Sequence, residues 1–220
     1  MKDLDELVMG FRRFQENYFT DDTGLFEQLR QGQNPKTLAI CCSDSRVDPS
    51  LLTDSAPGDL FVIRNVAGLV PPYQPDCHYH GVSAALEYAV KVLEVEHILL
   101  IGHSQCGGIN GLMNLRAGQD DNEFINRWVE IAKPAKQAVL KTLAGKPQPI
   151  QERACEQASL LLSLENLLTF PWVVKKVEAR TLALHAWYVD IQSGELQHYV
   201  AKRGQFETLV KHPEKKDNES

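Results

Sequence analysis

Two short apolar runs in this chain lead straight into residues that carry chemistry. Thr37-Leu-Ala-Ile-Cys-Cys42 runs into Ser43-Asp44-Ser45-Arg46, and His97-Ile-Leu-Leu-Ile-Gly102 runs into His103-Ser-Gln-Cys106-Gly-Gly108. Continuous apolar runs of this length read as strands covered on both faces, the kind found in parallel sheets. Ligands of open parallel sheets sit beyond the carboxyl ends of the strands. The fold is thereby constrained: both runs belong to one sheet and point the same way, so that Cys42 and His103 meet on one edge.

The rest of the pattern fits such a sheet. Apolar side chains at Leu4, Leu7, Val8, Phe11, Phe14, Tyr18 and Phe19 have helical spacing with acids in the first turn, predicting a helix over 3–19 and a shorter one over 24–30. Pro57-Gly58 turns the chain into a second strand over 59–65, and the prolines of 68–80 make a loop. Helices are predicted from Val82 to Leu93, over 106–115, over 122–143 with Pro134 as a break, over 151–168, and from Pro171. Residues 146–149 read as a linker, 181–191 as a long strand, and Ser193-Gly194 as a hairpin into 197–200. Alternating strands and helices predict an α/β fold with a mainly parallel sheet flanked by helices. A length of 220 residues predicts one domain over 1–220, comprising a helical arm over 1–32 and a charged, disordered tail over 211–220.

Composition excludes more than it selects. The net charge of −6 argues against nucleic acid as a partner, and no apolar stretch is long enough for a membrane span. The first residues, Met-Lys-Asp-Leu-Asp-Glu, show no secretion signal. An odd number of cysteines, 5, then points to a reducing, cytoplasmic setting in which thiols bind metal, catalyse or lie buried.

Cys42 and Cys106 as thiolates with a neutral His103 form a Cys2His set, which zinc favours in a tetrahedral shell. Three protein ligands leave a fourth position for water or for another side chain. Two thiolates formally cancel the zinc charge, so bound water loses its proton less readily than on three imidazoles. Asp44 has two possible tasks: to close the site as fourth ligand, or to accept a hydrogen bond from a zinc-bound hydroxide and aim it. Arg46 can hold that carboxylate as a bidentate pair and keep it ionised. Gly107-Gly108 at a helix start allows close backbone approach, and amides there favour an anion. Taken alone, Cys-x-Asp-x-Arg also suits a strand end with a surface ion pair, and His-x-x-Cys is weaker still.

Together with Pro57-Gly-Asp-Leu-Phe-Val-Ile-Arg-Asn65 and Glu87-Tyr-Ala-Val90, these motifs resemble the β-class carbonic anhydrases, most closely the plant-type branch that also occurs in bacteria. Weaker similarity runs through 124–136, 164–172 and 182–190, so it covers nearly the whole chain. The resemblance implies one zinc ion per subunit on Cys42, His103 and Cys106, with Asp44 orienting the zinc-bound hydroxide and Arg46 pairing Asp44. It implies reversible hydration of carbon dioxide to bicarbonate and a proton. It implies that Gln33, Phe61, Val66 and Tyr88 line the substrate pocket, Gln33 by a hydrogen bond, and that Gly107 offers its backbone amide. The implied fold has a four-stranded parallel core and an obligate dimer, often assembled further, with N-terminal helices clasping the neighbour and the active site near the dimer interface.

One departure stands out. Some bacterial relatives carry a regulatory bicarbonate site of tryptophan, arginine and tyrosine, for which this chain has Ala39, Arg64 and Val189. Cys41 points to the opposite face from Cys42 and reads as an inert buried thiol. Cys77-His78-Tyr-His80 looks like a small metal cluster but lies in a proline-rich loop; His78 or His80 would suit a proton carrier. Rival functions are hydrolysis of carbon disulfide or carbonyl sulfide on the same scaffold, and a non-catalytic zinc protein closed by Asp44.

Overall fold

The computed structural model describes residues 3–20, 24–76, 78–115 and 123–212. Six strands form one sheet: β1 (Thr37–Cys42), β2 (Leu60–Asn65), β3 (His97–His103), β4 (Ala183–Val189), β5 (Leu196–Val200) and β6 (Gln205–Val210), in the order β2-β1-β3-β4-β5-β6. The first four in that order are mutually parallel, and β5 and β6 add antiparallel pairings at one side. The parallel core is the one the apolar runs require. Strand β6 was not anticipated, because Gln205-Phe-Glu-Thr-Leu-Val has little apolar alternation. It is an edge strand, and most of its residues are exposed.

The helices in chain order are α1 (Leu4–Tyr18), α2 (Leu25–Leu29), α3 (Pro49–Thr53), α4 (Gly81–Glu87), α5 (Gly107–Asn114), α6 (Ile125–Val129), α7 (Lys133–Thr142), α8 (Gln148–Leu167) and α9 (Pro171–Glu178). Asp3 caps α1 by accepting from the Glu6 amide at 3.0 Å. Asp48 caps the unanticipated α3 by accepting from the amides of Ser50 and Leu51, with Pro49 in the first turn. The helical pattern is interrupted at Glu130–Ala132, just before Pro134, which sits in the first turn of the new helix α7, as the break there predicts. One proline reading needs correction: Pro149 sits in the first turn of α8, which starts before the predicted linker ends. Both prolines occupy first-turn positions, where the missing N–H would have had no partner anyway. The expected start at residue 122, the tail from 213 and Cys77 lie outside the described residues.

The sheet buries apolar side chains on both faces, with helices packed on one of them. On one, Leu38, Ile40, Ile98, Leu100, Ala186 and Tyr188 pack against Leu86, Ala89, Leu160, Leu167, Phe170 and Val173 of the helices and their flanks. On the other, Cys41, Leu99 and Ile101 pack with Trp187 and Val189. Cys41 is fully buried on this second face, as alternation predicts, and burial pushes its thiol up to about 11. A third apolar cluster caps the carboxyl ends of the strands and includes Cys42, Leu69, Cys106, Ile109, Leu112, Val129 and Cys155.

Helix α1 behaves differently. None of its residues is buried, and Leu4, Leu7, Val8, Met9 and Phe11 are exposed. Phe14, Tyr18, Phe19 and Phe26 stack on one another between α1 and α2.

The turn after β2 supports the first strand's end. Gly68 has φ +61°, and a Cβ there would lie 3.1 Å from both the Cys41 carbonyl carbon and the Cys42 nitrogen. Asn65 closes the turn, its side chain donating to the Leu69 carbonyl and accepting from the Leu69 amide. Gly68→Ala therefore combines a left-handed backbone penalty with a clash against backbone that cannot move aside. We expect a loss of about 2–4 kcal/mol, read as a lower urea midpoint at unchanged slope.

Candidate metal centre

Parallel pairing brings the carboxyl ends of β1 and β3 side by side, and the tight turn after β3 returns Cys106 to the same place. The ligand atoms of Cys42, His103 and Cys106 all lie within 4.8 Å of one another, and all three residues are buried. The two sulfurs are 4.0 Å apart, close to the ~3.8 Å separation of two thiolates on a tetrahedral zinc with ~2.3 Å bonds. His103 Nδ1 donates to the Ser104 carbonyl at 2.9 Å, which leaves Nε2 as the nitrogen with a free lone pair. Nε2 is buried and has no hydrogen-bond partner among the described residues. A buried polar atom without a partner is costly, and a soft or borderline cation facing two sulfurs satisfies it. The donor set fits zinc.

The Cys106 hydrogen bond lowers the Cys42 thiol, and against burial the neighbouring His103 and the amides of Asp44 and Ala67 lower it further. The same bond and burial push Cys106 up. Burial alone would lower His103, but the neighbouring Cys42 sulfur and the bond to the Ser104 carbonyl outweigh that and raise it.

The next layer is built from charged side chains. Asp44 Oδ1 accepts from the Arg46 amide at 3.0 Å and Nε at 2.9 Å, and Oδ2 accepts from Nη2 at 2.7 Å. This fork from Arg46 holds the Asp44 carboxyl far below the usual carboxylate range. Arg46 Nη2 also donates to the Gln105 carbonyl at 3.2 Å, tying the β1 turn to the β3 turn. Arg64 donates to the carbonyls of Cys42 and Asp44 and to Asp48. It braces the backbone that presents Cys42 and Asp44.

Several supporting residues carried no motif. Ser104 Oγ accepts from the Ile191 amide at 2.9 Å and lies 3.5 Å from Asp190 Oδ1. Asp190 is paired with Arg153 at 2.6 Å and accepts from the amides of Gln192 and Ser193. Buried Glu156 of α8 accepts from the Cys106 amide at 3.0 Å and from the Tyr188 hydroxyl at 2.6 Å. Burial pushes the Glu156 carboxyl up in spite of these donors. Glu156 shares the buried side of α8 with Cys155, Ser159, Leu160, Ser163 and Leu167, so no apolar stripe set it apart in the sequence.

The expected pocket residues fall into two groups. Val66 follows β2 at the metal end, and its Cγ1 lies 2.8 Å from where a Cβ on Gly108 would sit. It also lines an apolar cleft of about 730 Å³ with Pro71, Val82, Phe124 and Trp128. Gly107 opens α5 with open space beside it. Phe61 and Tyr88 form a ring pair at 5.8 Å. Phe61 lies four residues before Asn65 on edge strand β2, about 13 Å along the strand at ~3.3 Å per residue. Gln33 is exposed in the segment before β1, toward the same amino-terminal side. These three residues are therefore not gathered around their own chain's metal centre. His80 is engaged with Asp76 at 2.6 Å.

A buried Cys2His set at the carboxyl edge of a parallel sheet, with a carboxylate held beside it, defines an α/β metalloenzyme site. A family model described as carbonic anhydrase matches residues 37–196. The carbonic anhydrase of Synechocystis sp. is 38% identical over 196 residues, covering 89% of this chain and 71% of that protein. Beta carbonic anhydrase 5, chloroplastic, of Arabidopsis thaliana is 39% identical over 205 residues, covering 91% and 67%. The solved structure of the β-carbonic anhydrase CcaA superposes with a TM-score of 0.87 at 36% identity, covering 93% of this chain and 98% of that one. Tetrameric β-carbonic anhydrases from the ascomycete Sordaria macrospora give a TM-score of 0.72 at 28% identity, covering 88% and 92%. The chain belongs to the carbonic anhydrase family, in its β class.

The support beneath His103 has a pH signature. Burial raises the Asp190 carboxyl, but Arg153 and the amides of Gln192 and Ser193 outweigh it and leave it below its ordinary value. A depressed folded-state pKa stabilises above the unfolded value of about 3.9 and loses that contribution as pH falls through the folded value. Asp190→Asn should cost about 1–2 kcal/mol near neutrality. In urea titrations the gap to wild type should narrow below about pH 4.

Proposed function

We propose that this chain catalyses the reversible hydration of carbon dioxide to bicarbonate and a proton, with one zinc ion per subunit held by Cys42, His103 and Cys106. The observation that carries the reading is the orphaned, buried Nε2 of His103 aimed into a pair of sulfurs, beside a carboxylate whose oxygens are both occupied by Arg46. Zinc, when bound, supplies Lewis acidity and lowers the pKa of water enough for attack at neutral to alkaline pH.

The chain's own residues supply orientation. Asp44 stays ionised and accepts a hydrogen bond from the attacking water, aiming its lone pair at the carbon. Arg46 keeps Asp44 committed to that task, which disfavours a closed, purely structural site. The Gly107 amide at the start of α5 faces the charge that develops on the substrate oxygens. The apolar cleft that reaches Val66 suits approach of an uncharged gas molecule.

We further infer a cytoplasmic homodimer or larger homo-oligomer folded as one domain over 1–220, with the arm over 1–32 laid on a neighbouring subunit. The exposed apolar side chains of α1 support this, as do the free thiols of Cys41, Cys42, Cys106 and Cys155. In that assembly Gln33, Phe61 and Tyr88 complete the pocket of the partner subunit, consistent with their position at the sheet's β2 edge. Arg64 is engaged in bracing the Cys42 turn, which speaks against a regulatory bicarbonate site there.

Stopped-flow hydration assays with zinc analysis test the reading. Zinc-loaded wild type should be active. Cys106→Ala should lose both metal and activity, and Asp44→Ala should keep zinc while its rate falls about 10²–10³-fold. A zinc-replete wild type that is inactive throughout the alkaline range sinks the proposal. Sedimentation of the full chain should show a dimer or larger species; a monomer at micromolar concentration would remove the inferred role of α1.

A further inference from the structure

The Gln105–Cys106 peptide is held from both ends by opposite charges. Its carbonyl accepts from Arg46 Nη2 at 3.2 Å, and its N–H donates to Glu156 Oε1 at 3.0 Å. Gln105 has φ +58°, the left-handed region that non-glycine residues enter at a cost of about 1–2 kcal/mol. A strained peptide can relax by rotating its plane, which would exchange the directions of the carbonyl and the N–H. Here rotation would turn a carbonyl oxygen toward a carboxylate and an N–H toward a guanidinium.

The cost of the arrangement shows that it is not incidental. Glu156 is only 7% exposed, and its second oxygen is held by the hydroxyl of Tyr188, which is 0% exposed. Arg153 lies over the Tyr188 ring at 5.4 Å and pairs with Asp190. A buried carboxylate is costly to desolvate, and Glu156 touches neither the ligand sulfurs nor Asp44 directly. Its partners are the backbone amides of Cys106 and Gln105 and the buried phenol of Tyr188.

We propose that Glu156 is a positioning residue: with Arg46 it clamps the Gln105–Cys106 peptide, and so fixes both the Cys106 ligand and the guanidinium that holds Asp44. The same Nη2 that grips the Gln105 carbonyl grips Asp44 Oδ2. If the peptide rotates, Arg46 loses one of its anchors, and the Asp44 fork becomes free to swing. Glu156 thus couples α8 to the Asp44–Arg46 pair without touching substrate.

This inference rests on the zinc reading above, and the test separates the two. Zinc loss to a chelator is followed in wild type, Glu156→Gln and Glu156→Leu, alongside hydrogen exchange at the Cys106 amide in the metal-free proteins. Gln keeps an oxygen for the Cys106 N–H and offers an N–H to Tyr188. It should release zinc within about 3-fold of the wild-type rate, whereas Leu should release it about 10–100-fold faster. The Cys106 amide should be protected in wild type and Gln and should exchange at least 10-fold faster in Leu. If Leu does not fold, the Gln variant and the wild-type amide still decide. Rapid exchange of that amide in folded wild type overturns the clamp, as does Gln releasing zinc as fast as the Leu range given above, or Leu retaining zinc like wild type. A wild type that binds no zinc would defeat the metal reading instead, while the exchange result would still report on the clamp.

Discussion

Everything in this molecule depends on parallel pairing between β1 and β3. Parallel strands point their carboxyl ends the same way, so residues distant in sequence come out on one edge at the same height. That single constraint places Cys42 next to His103, and one tight turn then returns Cys106. The same edge collects the turns that carry Asp44 and Gln105, so the charged residues around the metal ligands come from the same loops as the ligands. The helices packed on one face exclude water from the strands there and leave the edge open.

Burial sets the energetics of that edge. Two cysteines, an imidazole and three carboxylates are crowded where water is scarce, and each charge would be costly alone. They are tolerated because each has a specific partner. Asp44 is held by Arg46, Glu156 by the Cys106 amide and Tyr188, and Asp190 by Arg153 and two backbone amides. The exception is His103 Nε2, and it is the atom a cation would occupy. The pattern of satisfied and unsatisfied groups marks the centre more sharply than the ligand identities do.

Much of this was legible in the sequence, for a physical reason. Apolar strands and ligand residues announce themselves locally: Thr37–Cys42 and His97–His103 need no partner to be recognised, and Asp44 and Arg46 sit within four residues of Cys42. Glu156, Arg153 and Asp190 were not legible, because an acid on a helix face looks the same whether it meets water or a backbone amide from another element. Pro149 misled because proline forbids a helix interior and permits a helix start, and only the chain's path tells which applies. Phe61 alone reads as plain core and Tyr88 as a helix aromatic; the place of Phe61 on edge strand β2, with Tyr88 ring-paired to it, adds that a pocket they line is not the one beside their own zinc ligands.

The bare apolar side of α1 has a consequence beyond assembly. A helix with no buried residue in its own chain draws little tertiary support from that chain, and isolated helices of this length are marginal in water. If a neighbouring subunit covers it, the order of the first 30 or so residues becomes a function of how concentrated the protein is. Dilution would then loosen the arm before it disturbs the sheet, and catalytic competence would carry a memory of protein abundance that no residue at the zinc ligands encodes.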